Sequence, residues 1–425
     1  LKTIALERRS KPGGGLDTIE HPSGSGFLHN PHSFFHRGIT SMPWFDDLQL
    51  DANGAQYIEP DCNVSVINGE NQAIKWHREF DVTLQTVRQF SRADADKLEY
   101  WHETFRPVLT EILIPESRRP PVPAEERSRW LNQSAAGRLL LEVSALSPLD
   151  FVNREFEHPF VKGALLFFNG LREVDLRLSG FGYHIPALLA SDTLAQMCIG
   201  GSEQLAHSLC NVIRKAGGEI RCNCEIEEIQ VFGGRATGVK LATGELIQAE
   251  RAVVSSLNPQ QTMLGLLASE HVPSSWREKA EQFRYNLIAP LFGVYLNLNS
   301  PVSYLAAEHD SEVNESLMTV LGLDEVSQFS EIVKHHEQGT IPPTVMWGSC
   351  PTQFDPSQSP DGQHVAFMWE KLPMDVHGDR EHWHDLAAEH ANSMIDLWSK
   401  HAPCLKDSIV DIRIQSPLEI SRTLH

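Results

Sequence analysis

Ile4-Ala5-Leu6-Glu7-Arg8-Arg9, followed closely by Pro12-Gly13-Gly14-Gly15, is the stretch on which the fold turns. Residues 2–6 read as an apolar β-strand, and Glu7 stands at its end. In a dinucleotide-binding βαβ unit, an acidic residue closing the second strand accepts hydrogen bonds from the adenosine ribose hydroxyls. The glycines beyond it let the backbone pass close to a bulky ligand with no Cβ in the way. The phosphate-binding Gly-x-Gly-x-x-Gly turn belongs roughly 20 residues before such an acid. Leu1 precedes Glu7 by only six residues, and the chain has no initiator Met. We therefore expect a fragment that begins inside its nucleotide-binding motif.

A second region agrees with the first. Gly200-Gly201-Ser202 precedes an amphipathic helix carrying Leu205, Leu209 and Ile213, which stops at Gly217-Gly218. Short β-runs follow at 220–222, 226–232, 236–241 and 246–249, parted by the hairpin signals Gly233-Gly234 and Thr243-Gly244. Residues 251–256 read as a further buried strand ending in small side chains. Helix, strand, three-stranded meander and return strand make the connection that large FAD-binding domains place between the halves of a parallel sheet.

Between these regions the period is helical. Ser91 caps a helix with an acid, Asp94, three residues on. Leu98, Trp101, Phe105 and Leu109 recur at helical spacing within it. Pro120-Pro121-Val122-Pro123 breaks the run, and Ser147-Pro148 opens another helix with Ser as cap and Pro at its first position. Residues 44–66 read as short extended pieces. After Asn286, strands at 288–298, 344–347 and 364–369 alternate with helices such as 379–400, and 351–362 reads as a surface loop.

Composition narrows the function. Thirty-six Lys and Arg against 56 Asp and Glu leave a formal charge of −20, which repels nucleic acid and anionic surfaces. The longest apolar stretch, 287–298, holds Pro290, Gly293 and Asn297 and is too short to span a bilayer. Seven scattered cysteines without Cys-x-x-Cys spacing suit reduced thiols in an intracellular, cytoplasmic protein. Cys222 and Cys224 share one strand face and read as core thiols. No Gly-x-Ser-x-Gly elbow or His-Glu-x-x-His pair supports a hydrolase or a zinc protease.

These motifs, in this order, resemble the phytoene-dehydrogenase-like flavoproteins: carotenoid desaturases and isomerases, retinol saturases and their relatives. The resemblance rests on 6–14, on 200–205 and on Gly218-Glu219-Ile220. It extends to Gly234-Arg235-Ala236-Thr237-Gly238-Val239, to Ala252-Val253-Val254-Ser255-Ser256 and to Ser416-Pro417-Leu418-Glu419-Ile420. It implies an α/β fold of the two-dinucleotide-domain, glutathione-reductase-like type, with a discontinuous FAD domain and a mixed α+β substrate domain. The implied segments are 1–74 and 198–265 for FAD, 75–197 as a helical cap and 266–415 as substrate strands and helices. Residues 416–425 would begin a last flavin-binding element lying beyond His425, so both ends are expected to be truncated and the fragment to bind FAD poorly.

The resemblance also assigns residues. Glu7 would hold the adenosine ribose, with Arg8 or Arg9 flanking the adenine, and Gly13 and Gly14 would pass the ribityl chain or pyrophosphate. Ile226 would meet the adenine through its backbone, and Ser255 would border the nucleotide. His29, His32 and His36 would lie near the flavin ring, where an imidazole can donate a hydrogen bond or move a proton; their plainer reading is that they satisfy loop carbonyls. We take His29 and His32, together with Arg172 in the charged run 172–177, as catalytic candidates. No metal is expected, because no cysteine lies near the histidines. His377, His382, His384 and His390 read as a solvated helix face.

The implied activity is hydride transfer between FAD and a lipophilic small molecule, as desaturation or saturation of C–C bonds in a polyene-like substrate. A flavin amine oxidase, a redox-neutral isomerase and a flavin-free lipid-binding escort of small GTPases are the alternatives. The sequence leaves peripheral membrane contact and oligomeric state open.

Overall fold

The computed structural model describes residues 2–168 and 175–424, which fall into two compact units. The first comprises Leu1–Leu16, Met42–Gln56 and Glu203–Tyr285. Its strand Ile4–Leu6 pairs in parallel with Glu219–Arg221, Ile4 opposite Glu219 and Leu6 opposite Arg221. Helix Glu203–Lys215 leads into the second of these strands and buries Leu205, Ala206 and Cys210. Its Ser208 hydroxyl donates to the Leu50 carbonyl at 2.7 Å, which ties down the 42–56 segment. The expected meander is present as Ile226–Phe232, Arg235–Leu241 and Leu246–Gln248, antiparallel throughout. Cys224, Ile229, Val239 and Leu241 form its small core, with Leu6 and Val253 packed against it.

Two expectations fail in this unit. Residues 251–256 form no strand, and Val254 is 90% exposed. A short apolar run becomes a buried strand only when a neighbour pairs with it, and here none does among the described residues. Within 44–66, Pro43–Asp47 is a short helix with proline at its start rather than an extended piece.

The second unit comprises Asp17–Ser41, Tyr57–Ser202 and Asn286–His425. A seven-stranded sheet runs through it in the order Ile409–Gln415, Leu291–Leu298, His364–Lys371, Met346–Ser349, Met318–Leu321, Cys62–Ile67, Ala73–His77. All its pairs are antiparallel except Met318–Leu321 with Cys62–Ile67. Strand alternation gives the sheet two apolar faces. Phe367 and Trp369 point into a core shared with the helices Phe80–Arg88, Arg92–Val108, Ala135–Ser144, Pro148–Glu155 and Pro159–Phe168. Ala366 and Met368 point the other way, against helix Trp383–His401. Every residue of Cys62–Ile67 is buried, which is why this strand sits in the sheet. Of the expected FAD segment 1–74, residues 17–41 and 57–74 group by compactness with the second unit. So do residues 416–424, whereas 266–285 belong to the first.

The helix starts were legible, but one acid has other work. Ser91 Oγ accepts the Asp94 amide at 3.0 Å, while the Asp94 carboxylate accepts the Glu157 and His158 amides at 2.8 Å each. Ser147 and Asp150 form a complete capping box. Among the described residues, no helix is long and apolar enough to cross a membrane.

Candidate functional site

In the first unit the site grows from the end of strand Ile4–Leu6. The Glu7 amide donates to the Arg221 carbonyl at 2.9 Å, and the Glu7 carbonyl accepts the Cys224 amide at 2.8 Å. Asn223 in turn donates its amide to the Arg9 carbonyl at 2.8 Å. These bonds lay residues 7–9 alongside 221–224, just before Ile226 opens the meander. Glu7 is half-buried; its Oε1 accepts the Arg9 amide at 2.8 Å, and Oε2 takes no protein hydrogen bond among the described residues. A carboxylate oxygen left open beside a strand end suits the paired hydroxyls of a ribose.

Arg9 Nη2 donates to the Gly14 carbonyl at 3.2 Å and closes the glycine turn, while Arg8 is exposed. Gly13, at φ +131°, has no room for a side chain, since a Cβ there would stand 2.6 Å from the Leu16 carbonyl oxygen. Gly14, at φ +58°, has no heavy atom within 4 Å of the same position, so its backbone faces open space through which a ligand can approach. Lys11 pairs with Glu203 at the start of the helix. The open carboxylate oxygen and the bare glycine turn fit the adenosine half of FAD. Ser255 is exposed and bonds Thr262 Oγ1 at 2.8 Å. Cys224 Sγ donates to the Cys222 carbonyl at 3.3 Å.

In the second unit the histidine loop is held by polar networks. His29 is 3% exposed and donates Nε2–H to Asn297 Oδ1 at 2.8 Å, and Asn297 Nδ2 donates to the His21 carbonyl. Burial depresses the His29 pKa to about 4, partly offset by the Asn297 bond, so its ring is neutral near pH 7. His36 bridges Ser33 Oγ at 3.1 Å and Tyr57 Oη at 2.6 Å; burial holds it to about 4 as well and pushes the Tyr57 phenol above its usual range. His32 is half-buried in the same loop. Arg172 lies outside the described residues.

Sequence reasoning missed the second network of this loop. Asn30 Oδ1 accepts the Ser202 amide at 2.8 Å and the Thr18 hydroxyl at 2.9 Å, while its Nδ2 donates to Gln358 Oε1 at 3.0 Å. Gln358 Nε2 donates to Asp355 Oδ2, which also accepts the Gly200 amide at 2.6 Å. The 351–362 segment is thus no plain surface loop: Asp355 and Gln358 are buried and hold the Gly200-Gly201-Ser202 turn. His390, expected on a solvated face, is 7% exposed and bonds Glu370 Oε2 at 2.7 Å, because it lies on the sheet-facing side of its helix.

No family model matches the chain. It is 26% identical over 412 residues to a limonene dehydrogenase component of Castellaniella defragrans, covering 93% of this chain and 73% of that protein. It is 24% identical over 230 residues to a phytoene desaturase (neurosporene-forming) of Cereibacter sphaeroides, covering 53% of this chain and 42% of that one. Wild-type putrescine oxidase superposes with a TM-score of 0.57 at 11% identity, over 96% of this chain and 78% of its own. The expected α/β class with an FAD-binding, two-dinucleotide-domain architecture therefore stands. These relatives and the residues that carry the resemblance make the chain an FAD-dependent oxidoreductase similar to the phytoene dehydrogenase-like proteins.

Proposed function

We propose that this oxidoreductase removes hydrogen across a C–C bond of a lipophilic, unsaturated hydrocarbon. The observation that carries the reading is the open Oε2 of Glu7 beside the bare Gly14 backbone, a seat for the nucleotide of a redox cofactor. Two relatives support the substrate class: one is named as part of a limonene dehydrogenase, the other as a phytoene desaturase, and both names denote dehydrogenation of a hydrocarbon. In such a reaction two C–H bonds break, one carbon losing a hydride and its neighbour a proton, as the double bond forms. FAD, when bound, supplies the two-electron acceptor for the hydride.

The chain's own residues do the rest. Glu7 and the Gly13-Gly14 turn hold the cofactor's nucleotide, with Arg8, Arg9, Ile226 and Ser255 at its border. His32 takes the released proton. His29, fixed to Asn297 and neutral, positions the loop that carries His32. Little acid–base equipment is needed, because the substrate carries no group that must be ionised before it reacts.

The test is a visible absorption spectrum of the purified protein supplied with FAD, recorded anaerobically before and after adding limonene or a polyene. Flavin bands that bleach with hydrocarbon support the reading. Saturating FAD that keeps the spectrum of free flavin and never bleaches with hydrocarbon overturns it.

A further inference from the structure

Strands Leu291–Leu298 and Ile409–Gln415 run antiparallel, with Tyr295 directly opposite Arg413 and Asn297 directly opposite Asp411. Opposed residues share a face of the sheet, and Gln415 joins them two positions after Arg413. The side chains around Arg413 are engaged. The Tyr295 hydroxyl donates to the Pro31 carbonyl at 2.8 Å and accepts the Trp369 indole N–H at 2.9 Å. Gln415 Oε1 lies 3.3 Å from the same hydroxyl, and Asp411 Oδ2 stands 3.4 Å from His21 Nε2. Arg413 is the exception. Its guanidinium makes no hydrogen bond and no ion pair among the described residues, although the residue is half-buried and its Nε is wholly so. A native fold keeps such a group for a reason, a role in redox or binding chemistry among them.

A second open group lies within electrostatic reach of this charge. Asn297 Nδ2 donates to the His21 carbonyl at 2.9 Å, which turns Oδ1 towards His29. Oδ1 can only accept, so the neutral His29 ring carries its proton on Nε2. Its Nδ1 is then a bare acceptor, and it makes no hydrogen bond among the described residues. Burial is the main cause that holds the His29 pKa to about 4, and the Arg413 charge adds to it. The same charge pulls on the buried Tyr295 phenol, whose ring meets the His29 ring edge-on at 5.7 Å.

We propose that Arg413 and His29 hold the pyrimidine edge of the flavin, Arg413 donating where charge collects and His29 Nδ1 accepting the imide N–H, and that Arg413 thereby drives the cofactor towards accepting electrons. The inference rests on the FAD-dependent dehydrogenation proposed above; it adds the residues that hold the ring and the direction of electron flow. An open cation near an open neutral acceptor suits a group that offers acceptor and donor side by side. A hydrocarbon offers neither, and a phosphate near pH 7 offers acceptors alone. The imide of the flavin offers both. A ring that takes a hydride from the substrate carbon gains two electrons and one proton, hence one negative charge, shared between N1 and the C2 carbonyl oxygen. The neighbouring carbon's hydrogen leaves as a proton, which His32 takes in the reading above. Arg413 stabilises the reduced ring more than the oxidised one, because a bond between two charged partners is stronger than one to a neutral carbonyl. Charge near N1 is one of the means by which a protein tunes a flavin.

The experiment measures FAD affinity and the flavin midpoint potential in the parent, in Arg413→Gln and in Arg413→Lys. Arg413→Gln is expected to weaken reduced FAD relative to oxidised FAD at least about tenfold, a potential lower by about 30 mV for a two-electron couple. Arg413→Lys, which keeps the charge, is expected to recover part of that loss. FAD methylated at N3 has no hydrogen for His29 and is expected to bind at least about tenfold more weakly than FAD. Equal binding of the two overturns the part assigned to His29. An unchanged potential in a folded, FAD-loaded Arg413→Gln protein overturns the part assigned to Arg413. So does equal weakening of both oxidation states, which would put Arg413 on the cofactor's phosphates. Should Arg413→Gln not fold, the unaltered protein decides: a midpoint above that of free FAD supports the proposal, and one at or below it overturns it. A parent that binds no FAD overturns this proposal and the dehydrogenase reading together. A lowered potential in Arg413→Gln, in a protein whose flavin never bleaches with hydrocarbon, keeps the role of Arg413 and removes the reaction. Bleaching with hydrocarbon and an unchanged potential do the reverse.

Discussion

Gly201 stands so close to Thr18 that a Cβ on the glycine would lie 2.4 Å from the threonine Oγ1. The same atom would approach Asn30 Oδ1 to 3.0 Å, and the backbone there has φ +98°. Both constraints arise because Asn30 and Asp355 draw the Gly200-Gly201-Ser202 turn inward through its amides. Gly201→Ala therefore combines backbone strain with a clash against a β-branched side chain that has little freedom to yield. We expect a loss of about 2–4 kcal/mol, read as a lowered denaturant midpoint. Gly14→Ala, whose added methyl meets nothing within 4 Å, is expected to cost only about 1–2 kcal/mol from its positive φ. Equal losses in the two variants would refute the steric account of Gly201.

If Glu7 holds the nucleotide as proposed, substituting it separates cofactor binding from folding. Among the described residues its carboxylate accepts one protein hydrogen bond, from the Arg9 amide, at a half-buried strand end. Glu7→Ala should leave the thermal midpoint nearly unchanged and weaken FAD binding by about 10- to 100-fold, the worth of charge-assisted bonds to hydroxyls. Flavin fluorescence titration checks it, and an unaltered Kd would remove Glu7 from the nucleotide site.

How much of this was legible depended on range along the chain. The Glu7 strand end, the glycine turn and the meander are written in neighbouring residues, as are the caps at Ser91 and Ser147, so local chemistry sufficed. The Asn30–Gln358 bond spans 328 positions and the Gly200–Asp355 bond 155, and neither partner carries a local sign of the other. Residues 251–256 misled for the opposite reason. Their apolar run has strand composition, but strand formation belongs to the partner as much as to the segment. His390 misled because it stands next to the charged Glu389 on a helix that also carries Asp385, Asp396 and Lys400, while the position itself faces the sheet.

The buried Glu370–His390 pair joins the sheet to helix Trp383–His401. Burial raises the Glu370 pKa, against the pull of His390 and of hydrogen bonding from Val345 and Thr344. Removing His390 alone strands a buried carboxyl, so His390→Leu should destabilise by about 3–5 kcal/mol. The double variant Glu370→Met with His390→Leu replaces the pair by packing and should recover most of that loss. A double-mutant cycle from urea unfolding measures the difference, and additive losses would show that the two side chains act independently.

Acid sensitivity should trace to His29. Its folded pKa is about 4 against an ordinary 6.5, so between these values the unfolded chain binds a proton that the native chain refuses. Stability then falls as pH drops from about 6.5 towards 4, by up to about 3 kcal/mol from this residue, and is fully present above the unfolded value. His36 acts in the same window and the same direction. Glu370 opposes them, since its raised pKa makes protonation favour the native state. The contribution of His29 is therefore isolated by subtraction. His29→Gln keeps an amide donor for Asn297 Oδ1 and removes the titration, so its unfolding free energy should fall less steeply than that of the parent between pH 6.5 and 4. Parallel pH profiles for the two proteins would mean that the His29 ring is as free to take a proton in the native state as in the unfolded one, and would reopen a direct role for it in moving protons.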